Sequence, residues 1–199
     1  MTSHGTPSNP LREIWSWPLL VLVAFPVGGL VADLIVDGVD SVGAALTAGL
    51  TAGAVIGVAE WFALRRWVSW LWVPATAGGM AVGLAAGAML VDYGIARADL
   101  VLMGAVTGAG VGVAQMVVLR RSTVRPVSNA FWWAVANPPA WALGWFISTY
   151  VITKNVADQW ANFGASGTLA FGLLTWVLLA VLFRTGPSTG TTQPTHVIR

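Results

Sequence analysis

Residues 49–66 read GLTAGAVIGVAEWFALRR, and residues 104–121 read GAVTGAGVGVAQMVVLRR. The second stretch is the first displaced by 55 positions. Gly49, Gly53 and Gly57 match Gly104, Gly108 and Gly112, Glu60 matches Gln115, and Leu64-Arg65-Arg66 matches Leu119-Arg120-Arg121. Glycine at every fourth position strips side chains from one helix face, so a second helix can approach backbone to backbone. At about 100° per residue, positions 49, 53, 57, 60 and 64 lie within an arc of roughly 80°. Glu60 therefore points into a close-packed face, and Gln115 does so in its own copy. This reading makes the six glycines a helix-packing stripe of glycine-zipper type.

The rest of the chain says what solvent surrounds such helices. Of its 199 residues, 56% are hydrophobic and only 9% are charged, with a mean hydropathy of +0.74. Soluble domains carry about 25% charged residues, so most of this chain must face lipid. Six apolar runs are long enough to cross a bilayer core, at roughly 15–35, 43–63, 71–91, 99–119, 131–152 and 164–183. The expected fold is all-α, a polytopic integral membrane protein of six transmembrane helices. Residues 15–184 form its membrane domain, flanked by disordered cytoplasmic tails at 1–14 and 185–199. The polar N-terminal stretch lacks a small-residue cleavage site, so the first run reads as a retained helix.

Charge sorts the two sides. Arg12, Arg65, Arg66, Arg120, Arg121, Arg125 and Arg184 fall at one end of the runs, whereas Arg97 and Lys154 fall at the other with most of the aspartates. Basic excess marks the cytoplasmic side, so both termini are expected inside a cell inner membrane, with loops near 36–42, 92–98 and 153–162 outside.

The repeat extends beyond two copies. WVPATAGGMAVG from Trp72 aligns with WAVANPPAWALG from Trp133, and Trp17 and Gly28 lie 55 before Trp72 and Gly83. Gly164, Gly172, Trp176 and Leu179 lie 115 after Gly49, Gly57, Trp61 and Leu64, which puts Thr175 in the place of Glu60 and Gln115. The chain reads as three two-helix hairpins, about 15–66, 70–121 and 131–184, each opening on tryptophan and continuing into a glycine helix. Self-similarity at a fixed period is stronger testimony than any short motif. Because every hairpin starts inside, the copies are parallel, around a pseudo-threefold axis along the membrane normal.

The segment G-x-x-x-G-V-A-[EQ]-[WM]-x-x-L-R-R, followed by a Trp-led helix, resembles uncharacterised bacterial multi-pass membrane proteins built on repeated Q-W-x-x-L-R-R segments. The resemblance covers about 55–130 and implies the repeat architecture; it carries no activity. Glu60 stands where glutamine is usual there, and Met116 where tryptophan is.

Glu60, Gln115, Thr175 and Asn137 are the candidate intramembrane polar cluster. A carboxylate within a span costs about 2.5–3.5 kcal/mol at the centre and less towards the interface. Glu60 precedes Arg65 by about 7.5 Å of helix, which puts it in the cytoplasmic third. Arg65 and Arg66 leave the helix on other faces, so its partner should come from a neighbour, with Gln115 or Arg120 the candidates. One reading is a structural clamp linking Glu60, Gln115 and Thr175; the other is a proton- or cation-binding carboxylate. Glutamine and threonine cannot titrate, which favours the clamp.

The arginine pairs Arg65-Arg66 and Arg120-Arg121 read as topology anchors and anionic-lipid contacts. The twelve tryptophans read mostly as an interfacial belt, with Trp141 and Trp145 deeper, beside Asn137 and the kinking pair Pro138-Pro139.

Chemistry is otherwise sparse. With no cysteine, and with His4 and His196 both in tails, the chain offers no thiolate or intramembrane histidine for a metal or haem. No buried lysine suits a Schiff base, and neither a nucleotide-binding loop nor a serine–histidine pair is present. No enzyme activity and no cofactor are expected. A pI near 9.7 without a concentrated basic patch argues against nucleic acid, leaving membrane lipids and other membrane-protein subunits as partners. The function expected is a structural or accessory membrane protein; the alternative is a small transporter or channel with a polar site around Glu60, Gln115 and Asn137.

Overall fold

The computed structural model describes residues 9–122, 127–151 and 160–184. Among these residues there are seven helices and no strand: α1 (Pro10–Glu13), α2 (Trp17–Val36), α3 (Val42–Leu64), α4 (Trp72–Leu90), α5 (Arg97–Arg121), α6 (Phe131–Val151) and α7 (Trp160–Arg184). The local signals that bound them are ordinary. Pro18 sits in the first turn of α2, and the Ser41 hydroxyl caps α3 by accepting from the Ala44 amide at 3.2 Å. Asp37 ends α2 with φ 50°, and Asp92, 55 residues later, follows α4 with φ 48°. Aspartate tolerates this left-handed conformation better than most residues.

Each long helix packs against the next, and α7 packs back against α2, so α2–α7 form a closed ring. Among the described residues no two helices approach backbone to backbone across it; only side chains meet in its interior. Leu19, Val23, Leu50, Val58, Val82, Val113, Leu173 and Val177 are exposed on the outside, while the inside is also largely apolar. Apolar residues on both faces are what a helix needs between lipid and a packed core.

Five segments are long and apolar enough to cross a membrane: α2, α3, α4, α5 and Ala165–Arg184 within α7. These make the chain a multi-pass membrane protein by length and composition. The sequence reading expected six spans. The missing one is α6, whose 21 residues include Asn137, Pro138-Pro139 and four tryptophans. It is long enough, but these residues lower its hydropathy.

The N-terminal stretch also differs from expectation. The sequence predicts a disordered tail through residue 14, but the segment is structured from Asn9 onward. The Asn9 side-chain oxygen accepts from the Leu11 amide and, at 3.0 Å, from the Arg184 guanidinium; Ile14 is fully buried. Two buried apolar residues, Pro10 and Ile14, with a tie to α7, hold this polar segment down. The expected tails at 1–8 and 185–199, and most of the 153–162 loop, lie outside the described residues.

The glycines set the spacing of the ring. A Cβ on Gly49 would come within 2.6 Å of Ala81 Cα, and one on Gly53 within 2.8 Å of Ala77 Cα, so α3 lies directly on α4. The matching glycines of α5 meet α6. A Cβ on Gly108 would come within 2.7 Å of Trp141 Cβ and one on Gly112 within 2.7 Å of Asn137 Cβ, while Gly104 faces the Trp145 ring. Between the two, a Cβ on Gly79 or Gly83 of α4 would come within 2.7 Å of the α5 backbone.

Candidate functional site

Three tryptophans occupy the interior of the ring. Trp17, Trp72 and Trp133 are all fully buried, and the Trp133 ring lies 6.3 Å from that of Trp17 and 6.1 Å from that of Trp72. Each opens a helix, so its ring is placed at the arginine-bearing end of α2, α4 or α6. Each indole N–H donates to one side-chain oxygen of a neighbouring glycine helix. Trp72 Nε1 reaches Glu60 Oε2 at 2.9 Å, Trp133 Nε1 reaches Gln115 Oε1 at 2.8 Å, and Trp17 Nε1 reaches Thr175 Oγ1 at 2.9 Å. A buried indole needs an acceptor, and these three positions supply one apiece.

The acceptors themselves divide into two groups. Glu60 and Gln115 are joined: Gln115 Nε2 donates to Glu60 Oε2 at 2.8 Å and to Thr76 Oγ1 at 2.8 Å. Thr76 Oγ1 lies 3.2 Å from Glu60 Oε2 and 3.0 Å from the Trp72 carbonyl, so its one proton is shared between two acceptors. Glu60 Oε2 thus collects an indole, an amide and a hydroxyl. Its partners are neutral, and Arg120, considered as a partner from sequence, is exposed at the helix end. The amide orientation of Gln115 follows from this network, because Trp133 requires an acceptor and Glu60 a donor.

Thr175 stands apart. Its hydroxyl accepts from Trp17 and donates back to the Phe171 carbonyl at 2.7 Å, and it bonds neither Glu60 nor Gln115. Asn137 is fully buried one turn beyond Trp133. Its Nδ2 donates to the Trp133 carbonyl at 2.8 Å, while its Oδ1 has no hydrogen-bond partner among the described residues. The four candidates from sequence therefore form one linked pair, one separate threonine, and an asparagine that joins neither.

Two features were not read from the sequence. Thr76, which bridges Glu60 and Gln115, was not singled out. Its signal was its register, since it follows Trp72 by four residues as Asn137 follows Trp133. The interfacial reading of the leading tryptophans fails for Trp17, Trp72 and Trp133, which are buried inside the ring, whereas Trp15, Trp70 and Trp132 are exposed. Belt residues have no reason to keep a common register, and Trp17, Trp72 and Trp133 do.

Below this layer Leu64, Leu119 and Leu179 are fully buried, and Trp67 stacks on Phe183 with ring centroids 4.3 Å apart. The end is therefore capped by apolar side chains. Arg65, Arg66, Arg120 and Arg121 are all exposed around it. Arg65 lies 4.1 Å over the Phe62 ring, and Arg65 and Arg66 share a polar recess with Arg12 and Glu13.

Above the layer the ring holds a cavity of about 240 Å³. Phe25, Trp141 and Phe171 meet there with centroids 5.2–5.6 Å apart. The lining continues along Gly144 and Ser148 to Asp33, which is exposed.

The chain matches no family model, no curated protein and no solved structure. Among the described residues no group of histidine, cysteine, aspartate and glutamate is arranged to hold a metal ion.

Proposed function

We propose that the protein is a six-span integral membrane protein of structural or accessory role, built from three two-helix repeats about a pseudo-threefold axis that is closed at its arginine end. The sixth span is α6. It is long enough to cross and is flanked in the ring by α5 and α7, both of which carry apolar spans. The threefold reading draws on equivalent neighbours at equivalent positions. Gly57 approaches Val73 and Thr76, Gly112 approaches Ala134 and Asn137, and Gly172 approaches Pro18 and Val21. Those three pairs are related by the spacings already seen in the sequence. Both termini, on this reading, lie on the cytoplasmic side of a bacterial inner membrane. The exposed arginine pairs there face anionic lipid headgroups. Kinship with the bacterial proteins of repeated Q-W-x-x-L-R-R segments belongs to the same proposal.

One observation carries the role: Glu60 is consumed by structural hydrogen bonds within a layer of three packed tryptophans. A transporter needs a polar group that can exchange partners along a path. Here the oxygen is shared by Trp72, Thr76 and Gln115, and the axis beneath is leucine and stacked aromatic rings. The arrangement suits a rigid scaffold for lipid or neighbouring subunits. The test is reconstitution of the full chain into proteoliposomes carrying an internal pH dye and an imposed ion or proton gradient. No protein-dependent flux is expected. A flux that disappears in a folded Glu60→Gln protein would overturn the proposal in favour of transport.

A further inference from the structure

The closed axis explains the arginine half of the ring but leaves the cavity in the other half without a role. Its size is informative. An apolar cavity of about 150 Å³ accommodates benzene, so about 240 Å³ suits a single ring with a short side chain. Its chemistry is graded. The deep part is the Phe25, Trp141 and Phe171 cluster, whose ring faces favour both apolar bodies and organic cations. Ser148 stands along the wall, and its hydroxyl is already committed to the Gly144 carbonyl at 3.0 Å. Asp33 is the one charged residue of the lining, and it is exposed.

The surrounding charge agrees in sign. At this end of the described ring stand Asp33, Asp37, Asp40, Asp92 and Asp99 against Arg97 alone, and the Arg97 guanidinium lies 4.4 Å over the Tyr150 ring. A field of that sign concentrates cations at the mouth and repels anions.

We propose that this cavity is a binding site for a small amphipathic organic monocation, its apolar ring against Phe25, Trp141 and Phe171 and its ammonium at Asp33. The site goes beyond the scaffold role and does not depend on it. A lipid acyl chain is the competing occupant. It would fill the same apolar space but would have no use for the carboxylate.

The experiment uses the full chain in detergent, with 2-phenylethylammonium as the probe and neutral 2-phenylethanol as its control. The readout is tryptophan fluorescence, since Trp141 and Trp145 both line the cavity. Saturable binding of the cation is expected, tighter than that of the alcohol. Asp33→Asn, at an exposed position, should fold normally and weaken the cation by about fivefold, a loss of about 1 kcal/mol typical of an exposed charge pair, leaving the alcohol unchanged. Phe171→Ala should weaken both. Equal affinity of wild type and Asp33→Asn for the cation would overturn the proposal in favour of a purely apolar occupant. Absence of saturable binding by the wild type would overturn it outright.

Discussion

The interface of α3 with α4 and that of α7 with α2 are related by sequence spacings of 115 and 55, yet they are packed differently. On α3 a Cβ at Gly57 would meet Thr76 and Val73 at 3.0–3.1 Å; on α7 a Cβ at Gly172 would meet nothing closer than Pro18 Cα at 3.4 Å. The position matching Gly53 is Thr168, which is buried and lines the cavity. A glycine stripe brings backbones together, and its loss holds them apart. Most of the cavity lining comes from α2, α6 and α7; Ala52 and Ile56 of α3 and Met80 of α4 complete it, and α5 contributes nothing.

The sharpest way to break this comparison is alanine at the two glycines. Gly53→Ala places a methyl 2.8 Å from the Ala77 backbone, which cannot yield without moving α4. Such overpacking costs about 1–3 kcal/mol. Gly172→Ala meets only ordinary contacts, and alanine is the better helix former by about 0.8–1 kcal/mol, so it should be neutral or slightly stabilising. Unfolding midpoints in detergent measure both. Equal losses would mean that the two interfaces are not different in kind.

The tryptophans give a second, smaller contrast. Trp133→Phe leaves Gln115 Oε1 without its donor and loosens the amide that links Glu60 to Thr76. A buried acceptor left unpaired costs about 1–3 kcal/mol. Trp17→Phe removes one donor from Thr175, whose hydroxyl keeps its bond to the Phe171 carbonyl. Its loss should be near the lower limit of that range. The order of the two in the same unfolding assay checks whether the linked pair is the firmer half of the layer. Leu173→Ala, on the exposed outer face of α7, should shift the midpoint least of all.

Much of this architecture was legible in the sequence because period and composition report directly on what a helix face touches. The stripe Gly49, Gly53, Gly57 named a backbone contact, and a backbone contact is what it makes. Glu60 and Gln115 were placed on buried faces, and they meet. What stayed hidden depends on side-chain reach between elements. Trp72 lies 12 residues from Glu60, but Trp17 lies 158 from Thr175, and no local pattern announces such a pair. The linked trio was hidden for another reason: Thr76 sits in a run of alanine, glycine and valine, where a threonine reads as filler. The ordered segment at Asn9–Ile14 was obscured by polar composition, since a buried proline and a buried isoleucine are too little signal in a stretch otherwise built like a tail.

The central claim is that Glu60 serves the fold as an acceptor for Trp72, Thr76 and Gln115. The most direct measurement is the unfolding free energy of Glu60→Gln and Glu60→Leu beside the wild type, in one detergent. Glutamine retains an oxygen for the same donors, so Glu60→Gln should stay within about 0.5–1 kcal/mol of wild type. Leucine strands the Trp72 indole and the Gln115 amide and should lose about 1–3 kcal/mol. A Glu60→Gln protein as unstable as Glu60→Leu would contradict the account, because the fold would then depend on the carboxylate charge and not on the hydrogen bonds it accepts.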